Sequence, residues 1–331
     1  MKLVSVIIPC LNEERRILSL LESLKAQTYP LSDMEIIIAD GGSTDKTIEI
    51  IKGFIAENKA LKISIITNLK RIIPAAVNLG IRSSKGEIIV RLDAHSNPNK
   101  DYIERCVEIL EDGLADNVGG IWEIRPGEST WKAESIARAA SLPIAVGDAL
   151  YRHASKPGYV DTVPFGAFKR EILALVGFYN EDLLTNEDYE FNTRITLNGG
   201  KIWLDPRIRS TYYARSTFSE LAKQYWRYGY WKWKMLQSYP KSIRWRQALP
   251  PLFVSSLIIF SLLSIAIKWF WLIPTSEMLI YLFIIFLTGI IVSVNEKKPA
   301  FIAGIVFAIL TMHFSWGTGF LWSMIKGIFS K

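Results

Sequence analysis

Cysteine is scarce in this chain. Cys10 and Cys106 are the only two among 331 residues, they stand far apart, and no CxxC pair occurs. That excludes a disulfide scaffold and a structural zinc site, and it fits a reducing compartment. Glycine, at 21, and proline, at 14, are too few for a collagen-like or low-complexity chain. With 21% charged and 50% hydrophobic residues, the composition is the opposite of a disordered one. Two phosphate-binding signatures are also missing. No GxGxxG follows an apolar run, Gly41-Gly42 lacks a third glycine, and no GxxxxGK[ST] occurs. Dinucleotide-binding and P-loop readings therefore fail. The opening MKLVSVIIPCLNEE lacks the long apolar stretch and cleavage pattern of a signal peptide, so export of the amino-terminal part is not expected.

What is present is unevenly placed. Residues 1–200 hold 23 Lys and Arg against 28 Asp and Glu, residues 201–249 hold 11 against 2, and residues 250–331 hold 5 against 2. The net charge of +7 is thus no general basicity of the nucleic-acid-binding kind. It comes from a short basic stretch between a mildly acidic domain and an apolar tail. The mean hydropathy of +0.18 also points to a membrane portion. Three apolar runs fill the tail, at roughly 249–267, 278–294 and 299–325. Each is long enough for a ~30 Å hydrocarbon core at about 1.5 Å per residue. The glycines at 317 and 319 leave open a split of the third run into a short span and an interfacial piece. Lys241, Arg244 and Arg246 precede the first run, which by the positive-inside rule keeps the preceding domain cytoplasmic. The expected organisation is a cytoplasmic domain over 1–240 and a multi-pass membrane region over 241–331.

The first domain alternates strand and helix. Apolar strands are expected at Val4–Ile8, Glu35–Ala39, Lys62–Thr67 and Glu87–Leu92. Helical patterns begin near Asn12, with Ile17, Leu18, Leu21 and Leu24 on one face, at Thr47–Glu57 with Ser43 or Thr44 as cap, and at Pro74–Gly80. Such alternation predicts a parallel, doubly wound α/β sheet, which binds ligands beyond the carboxyl ends of its strands. Polar clusters stand at three of those ends: Asn12-Glu13, Asp40, and Asp93-Ala94-His95.

Each cluster admits more than one reading. Asp40 either stabilises the Gly41-Gly42 turn or accepts a hydrogen bond from a ribose or base. Asp93 and His95 are two apart, so on an extended segment they would point the same way and share a divalent ion; otherwise the pair belongs to the loop. In Asn186-Glu187-Asp188-Tyr189-Glu190 the acids suit a helix start, or one carboxylate is a general base and the other a support. Gly166 and Ala167 suit close approach of a ligand to backbone. The aromatic and basic segment 224–234 offers stacking for single-stranded nucleic acid, a surface for a sugar or lipid-phosphate acceptor, or an interfacial helix. Its place before the apolar tail favours a membrane or acceptor role over nucleic acid.

Taken together, VSVIIPCLNEE (4–14), IIIADGGSTDKT (36–47), IPAAVNLGIRSSKGEIIVRLDAHS (73–96), FGAFKRE (165–171), NEDYEF (186–191) and QYWRYG (224–229) resemble the inverting glycosyltransferases of family 2, with the GT-A fold. The DAH variant and the tail are most similar to the membrane-associated subgroup that includes succinoglycan-type glucosyltransferases. The resemblance covers about residues 3–235. It implies that Pro9, Asn12, Glu13, Asp40, Arg71, Asn78 and Asp93 border a nucleotide sugar, a UDP-sugar being expected. It implies that Asp93 and His95 hold Mn²⁺ or Mg²⁺, the imidazole favouring manganese. It makes Asp188 the catalytic base with Glu187 beside it, and places Gly166, Gln224, Arg227 and Tyr228 on the acceptor or diphosphate side. Tyr228 stands where processive synthases carry a tryptophan, so processive synthesis is not expected. Arg227, Lys232 and Lys234 would face the phosphates of a lipid-linked or glycan acceptor at the membrane lipids. Alternatives are a polyprenyl-phosphate sugar synthase and a non-catalytic scaffold of the same fold. A nucleotidyltransferase would show a glycine-rich basic signature near the first strand, where CLNEERR has no glycine.

Overall fold

The computed structural model of the chain describes residues 1–329. Two compact units emerge: Met1–Glu123 with Leu150–Tyr212, and Ile124–Ala149 with Tyr213–Lys331. The boundary expected at residue 240 does not coincide with this division. Residues 124–149, and the chain from 213 on, group with the apolar tail. The 124–149 insertion is short and of ordinary composition, with no sequence signal of its own.

The strands are β1 (Val4–Cys10), β2 (Met34–Asp40), β3 (Lys62–Thr67), β4 (Ile88–Arg91), β5 (Asn97–Pro98), β6 (Asn117–Pro126), β7 (Gly158–Tyr159), β8 (Ala167–Lys169) and β9 (Ile202–Ala214). Among the described residues they form one sheet in the order β3-β2-β1-β4-β8-β6-β9-β5, with β7 on β9. The expected parallel arrangement holds for β3, β2, β1 and β4. Beyond β4 the sheet turns antiparallel, since β8 pairs with β4 and with β6 in that sense. The strands of this half are two or three residues long or carry polar and charged residues, so no apolar alternation marks them.

The helices of the first unit are α1 (Ile17–Lys25), α2 (Thr47–Glu57), α3 (Ile73–Ser83) and α4 (Tyr102–Glu111). Those of the second begin with α5 (Trp131–Ala139) and α6 (Pro143–Val146). The first unit resumes with α7 (Ile172–Val176) and α8 (Glu187–Leu197). Apolar spacing buries Ile17, Leu20, Leu21 and Leu24 of α1 against one face of the sheet, while Leu18 is exposed. Val77 and Ile81 of α3 pack with Phe191 and Ile195 of α8 on the other. Ser43 and Thr44 do not cap α2; its cap position is Lys46, and Ser43 turns back to Asp40 instead.

The second unit continues with α9 (Phe218–Ser238), α10 (Trp245–Ala266), α11 (Leu272–Glu296) and α12 (Phe301–Phe329). Thr217 and Glu220 close α9 with a reciprocal capping box. Three helical stretches, Trp245–Ala266, Lys268–Glu296 and Phe301–Ile328, are long and apolar enough to cross a membrane. Gly317 and Gly319 do not break α12. They admit its neighbours: a Cβ at Gly319 would lie 2.2 Å from the Trp226 carbonyl oxygen of α9, and one at Gly317 2.7 Å from that of Pro250 on α10. Gly229 of α9 is the counterpart, its Cβ position 2.1 Å from the Trp316 carbonyl. Backbone cannot yield as a side-chain tip can. Gly229→Ala should therefore lower the unfolding midpoint of the detergent-solubilised protein, at a cost of about 1–3 kcal/mol. Gly53→Ala in α2, with nothing within 4 Å of its Cβ position, should stabilise by up to about 1 kcal/mol. Equal midpoints for the two variants in a thermal scan would contradict this packing.

Candidate active site

The carboxyl ends of the parallel strands form a level rim. Cys10 is in register with Asp40, and Asp40 with Thr67. The loops after β1 and β2 are laced together across it. The Thr44 N–H donates to Asn12 Oδ1 at 2.8 Å, the Asn12 N–H to Ser43 Oγ at 2.9 Å, and the Glu13 N–H to Thr47 Oγ1 at 2.8 Å. Asp40, largely buried, accepts from the Gly42 N–H at 2.8 Å and from the Ser43 N–H at 3.0 Å and hydroxyl at 2.6 Å. Its carboxylate thus does hold the Gly41-Gly42 turn. The Arg71 guanidinium lies against Gly42, and Pro9 is the penultimate residue of β1. Burial pushes the Cys10 thiol up to about 12, so it stays an inert thiol.

The centre of the site is a residue that sequence reasoning missed. Arg91 ends β4 and is 2% exposed. Its guanidinium donates to Asp188 Oδ1, to Glu187 Oε1 at 2.9 Å and to Asp93 Oδ1 at 3.1 Å. A buried cation needs such partners, because leaving water uncompensated is costly. An arginine closing an otherwise apolar strand, IIVR, was the signal available. Burial alone would lower its pKa, but the charges of Asp188, Asp93 and Glu187 outweigh that and raise it. Three carboxylates share this one cation. Burial, opposed by Arg91 and reinforced by the Glu187 and Asp93 charges, raises the Asp188 pKa to about 7. The other Asp188 oxygen accepts from the Phe165 N–H at 3.2 Å. The first-turn acids of α8 are thus not all there for the helix dipole: Glu190 pairs with Arg194 at 2.8 Å, whereas Glu187 and Asp188 turn to Arg91.

Other expected residues take different places. Asn78 is 1% exposed, and both its amide hydrogens are spent, on the Tyr179 carbonyl at 2.9 Å and Glu181 Oε1 at 2.8 Å. It has no donor left for a nucleotide. Instead it holds Tyr179, whose ring stacks on Phe191 at 4.5 Å and lies 6.0 Å from the Arg91 guanidinium. Gly166, at φ 87°, is required by Asn117, whose Oδ1 would lie 2.6 Å from a Cβ there. Asp93 and His95 do not lie on an extended segment. The Ser96 N–H and hydroxyl both donate to the Asp93 carbonyl, at 2.9 and 2.7 Å, closing a turn. Asp93 faces Arg91, and His95 Nδ1 meets Glu13 Oε1 at 2.9 Å. In the second unit Gln224 donates to the Tyr228 hydroxyl at 2.9 Å, and Arg227 is exposed on α9. Lys232 is not a headgroup-facing cation. It is 1% exposed, with its ammonium 3.2 Å from the Ser242 carbonyl. Asn12, Arg71, Phe165 and Asn186 are four of the five described non-glycine residues with positive φ. All four lie in loops of this rim, where such strain is characteristic of working sites.

Among the described residues no group of three or more His, Cys, Asp or Glu side chains is arranged to hold a metal. Asp93 and His95 can contribute two ligands at most. The Glu13–His95 contact is nevertheless of the carboxylate–imidazole kind that orients a ligating histidine.

The Glycosyl transferase family 2 profile matches residues 5–176. The chain belongs to this family. It is 30% identical to a dolichyl N-acetyl-alpha-D-glucosaminyl phosphate 3-beta-D-2,3-diacetamido-2,3-dideoxy-beta-D-glucuronosyltransferase of Methanococcus voltae, over 99% of this chain and 98% of that one. It is also 30% identical to the succinoglycan biosynthesis protein ExoA of Rhizobium meliloti, over 95% and 93%. Undecaprenyl-phosphate 4-deoxy-4-formamido-L-arabinose transferase of Pseudomonas aeruginosa is 32% identical over 39% and 38%. The mannosyltransferase PcManGT of Pyrobaculum calidifontis, solved with GDP-Man and Mn²⁺, matches with a TM-score of 0.61 at 17% identity, over 94% of this chain and 87% of that one. That likeness shows the GT-A fold. The family membership and the relatives make the chain a glycosyltransferase.

The Arg91 cluster has its own signature. Arg91→Met leaves three carboxylates around an apolar side chain. Unfolding of this variant should cost about 3–5 kcal/mol of stability near pH 8. The loss should shrink toward pH 5, where the orphaned carboxyls take up protons and cease to repel. A loss independent of pH would show that the acids do not depend on Arg91.

Proposed function

We propose that this glycosyltransferase moves a sugar from a nucleoside diphosphate donor, a UDP-sugar by expectation, to a lipid-linked acceptor at a membrane surface, with inversion. The observation that carries the chemistry is Asp188, a carboxyl raised to about 7 on the rim where the parallel strands end. A general base is most effective with a pKa near the working pH. Asp188 takes the proton from the acceptor hydroxyl as that oxygen attacks the anomeric carbon from the face opposite the diphosphate. Two hydrogen bonds, from Arg91 and the Phe165 N–H, hold the carboxylate while lone pairs remain for the hydroxyl. Arg91 and Glu187 orient it. Asn12, Glu13, Asp40 and Arg71 form the laced loops that border the nucleotide, with Pro9 beneath them.

Asp93 and His95, the latter oriented by Glu13, are the residues that would hold a divalent ion. Such an ion, when bound, supplies positive charge beside the leaving diphosphate. The excess of carboxylates over cations around Arg91 suits a further cation. The lipid-linked acceptor is supported by the Methanococcus voltae relative, whose name specifies a dolichyl phosphate sugar and whose similarity runs through the tail. The polyprenyl-phosphate transferases match over little more than a third of the chain, which favours them less. The basic residues before α10 support a cytoplasmic catalytic unit.

Asp188→Asn keeps the size and removes the base. Turnover should fall by about 10²–10⁴ while donor binding, read by calorimetry with UDP-sugar, stays nearly intact. Because the free carboxyl ionises near 7, kcat/KM of the unaltered enzyme should climb about tenfold per pH unit below that value and level off above it. Near-normal turnover of the variant, or a flat profile from pH 5 to 8, would remove Asp188 from the mechanism. EDTA should abolish transfer and Mn²⁺ restore it at least as well as Mg²⁺. Asp93→Ala should abolish Mn²⁺-dependent nucleotide binding in a titration that needs no turnover. Full activity in EDTA would dispose of the metal.

A further inference from the structure

The helix α12 has the length and composition of a span, but the neighbour that runs along it, α9, does not suit a bilayer core. Within the second unit α9 runs beside it in the same direction for nearly its whole length. Phe218 meets Phe307 with ring centroids 6.1 Å apart, Trp226 lies on Gly319, Trp233 meets Phe320 at 5.4 Å, and Gln237 reaches Gly327. Some twenty residues of helix are about 30 Å, the full hydrocarbon thickness. Along that length α9 carries Glu220, Lys223, Arg227, Lys232 and Lys234, with Lys223 and Arg227 exposed. If α12 crossed, α9 would take these charges through the core beside it, where each is strongly disfavoured.

α12 also touches the α10–α11 pair, the Tyr281 hydroxyl lying 3.0 Å from His313 Nδ1 and Phe253 meeting Phe314 at 5.9 Å, and its further contacts are polar. Ser135 of α5 lies against Gly304, His313 Nε2 is 3.2 Å from the Ala145 carbonyl oxygen of α6, and the Trp316 indole N–H donates to the Gln247 carbonyl at 3.0 Å. The same polar segment anchors both ends of the α10–α11 excursion. Arg246, at the start of α10, pairs with Asp148 at 2.5 Å. At the far end Glu296 pairs with Arg138, and Lys298 with Glu134 at 2.6 Å. The α10–α11 excursion therefore begins and ends on one charged layer. Phe307, Trp322, Ile325 and Ile328 remain exposed as an apolar stripe, with Lys326 among them in sequence.

We propose that α12 lies flat with α9 in the headgroup layer of a bilayer, its exposed stripe in the acyl boundary, and that the chain after α11 stays on the side of the catalytic unit. This rests on the reading of the tail as a membrane tail. The charged, amphipathic α9 backing the apolar α12 gives the pair one polar and one apolar side, which such a boundary accepts. The test uses the full-length protein in cells. Cys10 and Cys106 are buried, so single-cysteine labels report cleanly. Lys59→Cys, exposed in the first unit, and Lys326→Cys, exposed on α12, should both resist a membrane-impermeant maleimide in intact cells and both react after permeabilisation. A carboxyl-terminal fluorescent-protein fusion should be bright and the matching alkaline phosphatase fusion inactive. Labelling of Lys326→Cys but not of Lys59→Cys in intact cells, or an active phosphatase fusion, would overturn the proposal and restore a third crossing. Release of the protein by alkaline carbonate would instead defeat the membrane reading itself, and this inference with it.

Discussion

One buried cation organises the catalytic rim. Arg91 projects from the end of β4 into a setting that excludes water, and it is tolerable there only because three carboxylates converge on it. Two of those arrive from the first turn of α8, nearly a hundred residues away in sequence. The site therefore depends on α8 being delivered to the sheet with little latitude. The stack of Tyr179 on Phe191, pinned from α3 by Asn78, sets that delivery. The same crowding of carboxylates in a poorly solvated place lifts Asp188 toward neutrality. Fold stability and the ionisation of Asp188 are thus one electrostatic problem, and any change to Arg91 alters both.

The β1–β2 side of the rim is built differently. There the loops after β1 and β2 are held by short polar side chains bonding to each other's backbone, through Asn12, Ser43, Thr44, Thr47 and Asp40. Backbone amides fixed in this way form a rigid edge without requiring charged side chains to point outward. The cost is local strain at Asn12 and Arg71. A pre-set edge loses little conformational entropy when a flat, polar ligand settles on it.

Much of this was legible in the residues. Lys62–Thr67 was delimited to the residue, and the helix from Thr47 to about Glu57 closely, because apolar runs and helical spacing dominate their local energetics. Acids grouped at strand ends and at the start of α8 marked the rim. The antiparallel half of the sheet was not legible, because β5, β7 and β8 are fixed by long-range pairing and not by pattern. The geometry of Asp93 and His95 was misread because an extended segment was assumed where Ser96 closes a turn. Asn78 and Gly166 each have a structural duty of their own. The first satisfies a buried backbone, and the second yields space to Asn117. Arg91 escaped notice because an arginine beside an apolar strand reads as the strand's end, whereas burial makes it the strand's purpose.

The tail shows how far hydropathy can carry a topological argument. Length and apolarity are properties of one helix, and by that measure α10, α11 and α12 are equivalent. Crossing is a property of a helix and its neighbours together, since every group packed against it must share its depth. In the windows that qualify as spans, α10 is 11% buried and α12 is 39% buried. The covering of α12 is largely by helices bearing charge. Its glycines fit the same conclusion. In a lone span they would only weaken the helix, but here Gly304 makes room for the Ser135 side chain, and Gly317 and Gly319 admit α10 and α9 at backbone distance. A helix that lies along α9 from Phe307 to Gly327 must share the depth of α9, whose Glu220, Lys223, Arg227, Lys232 and Lys234 are disfavoured in a hydrocarbon core.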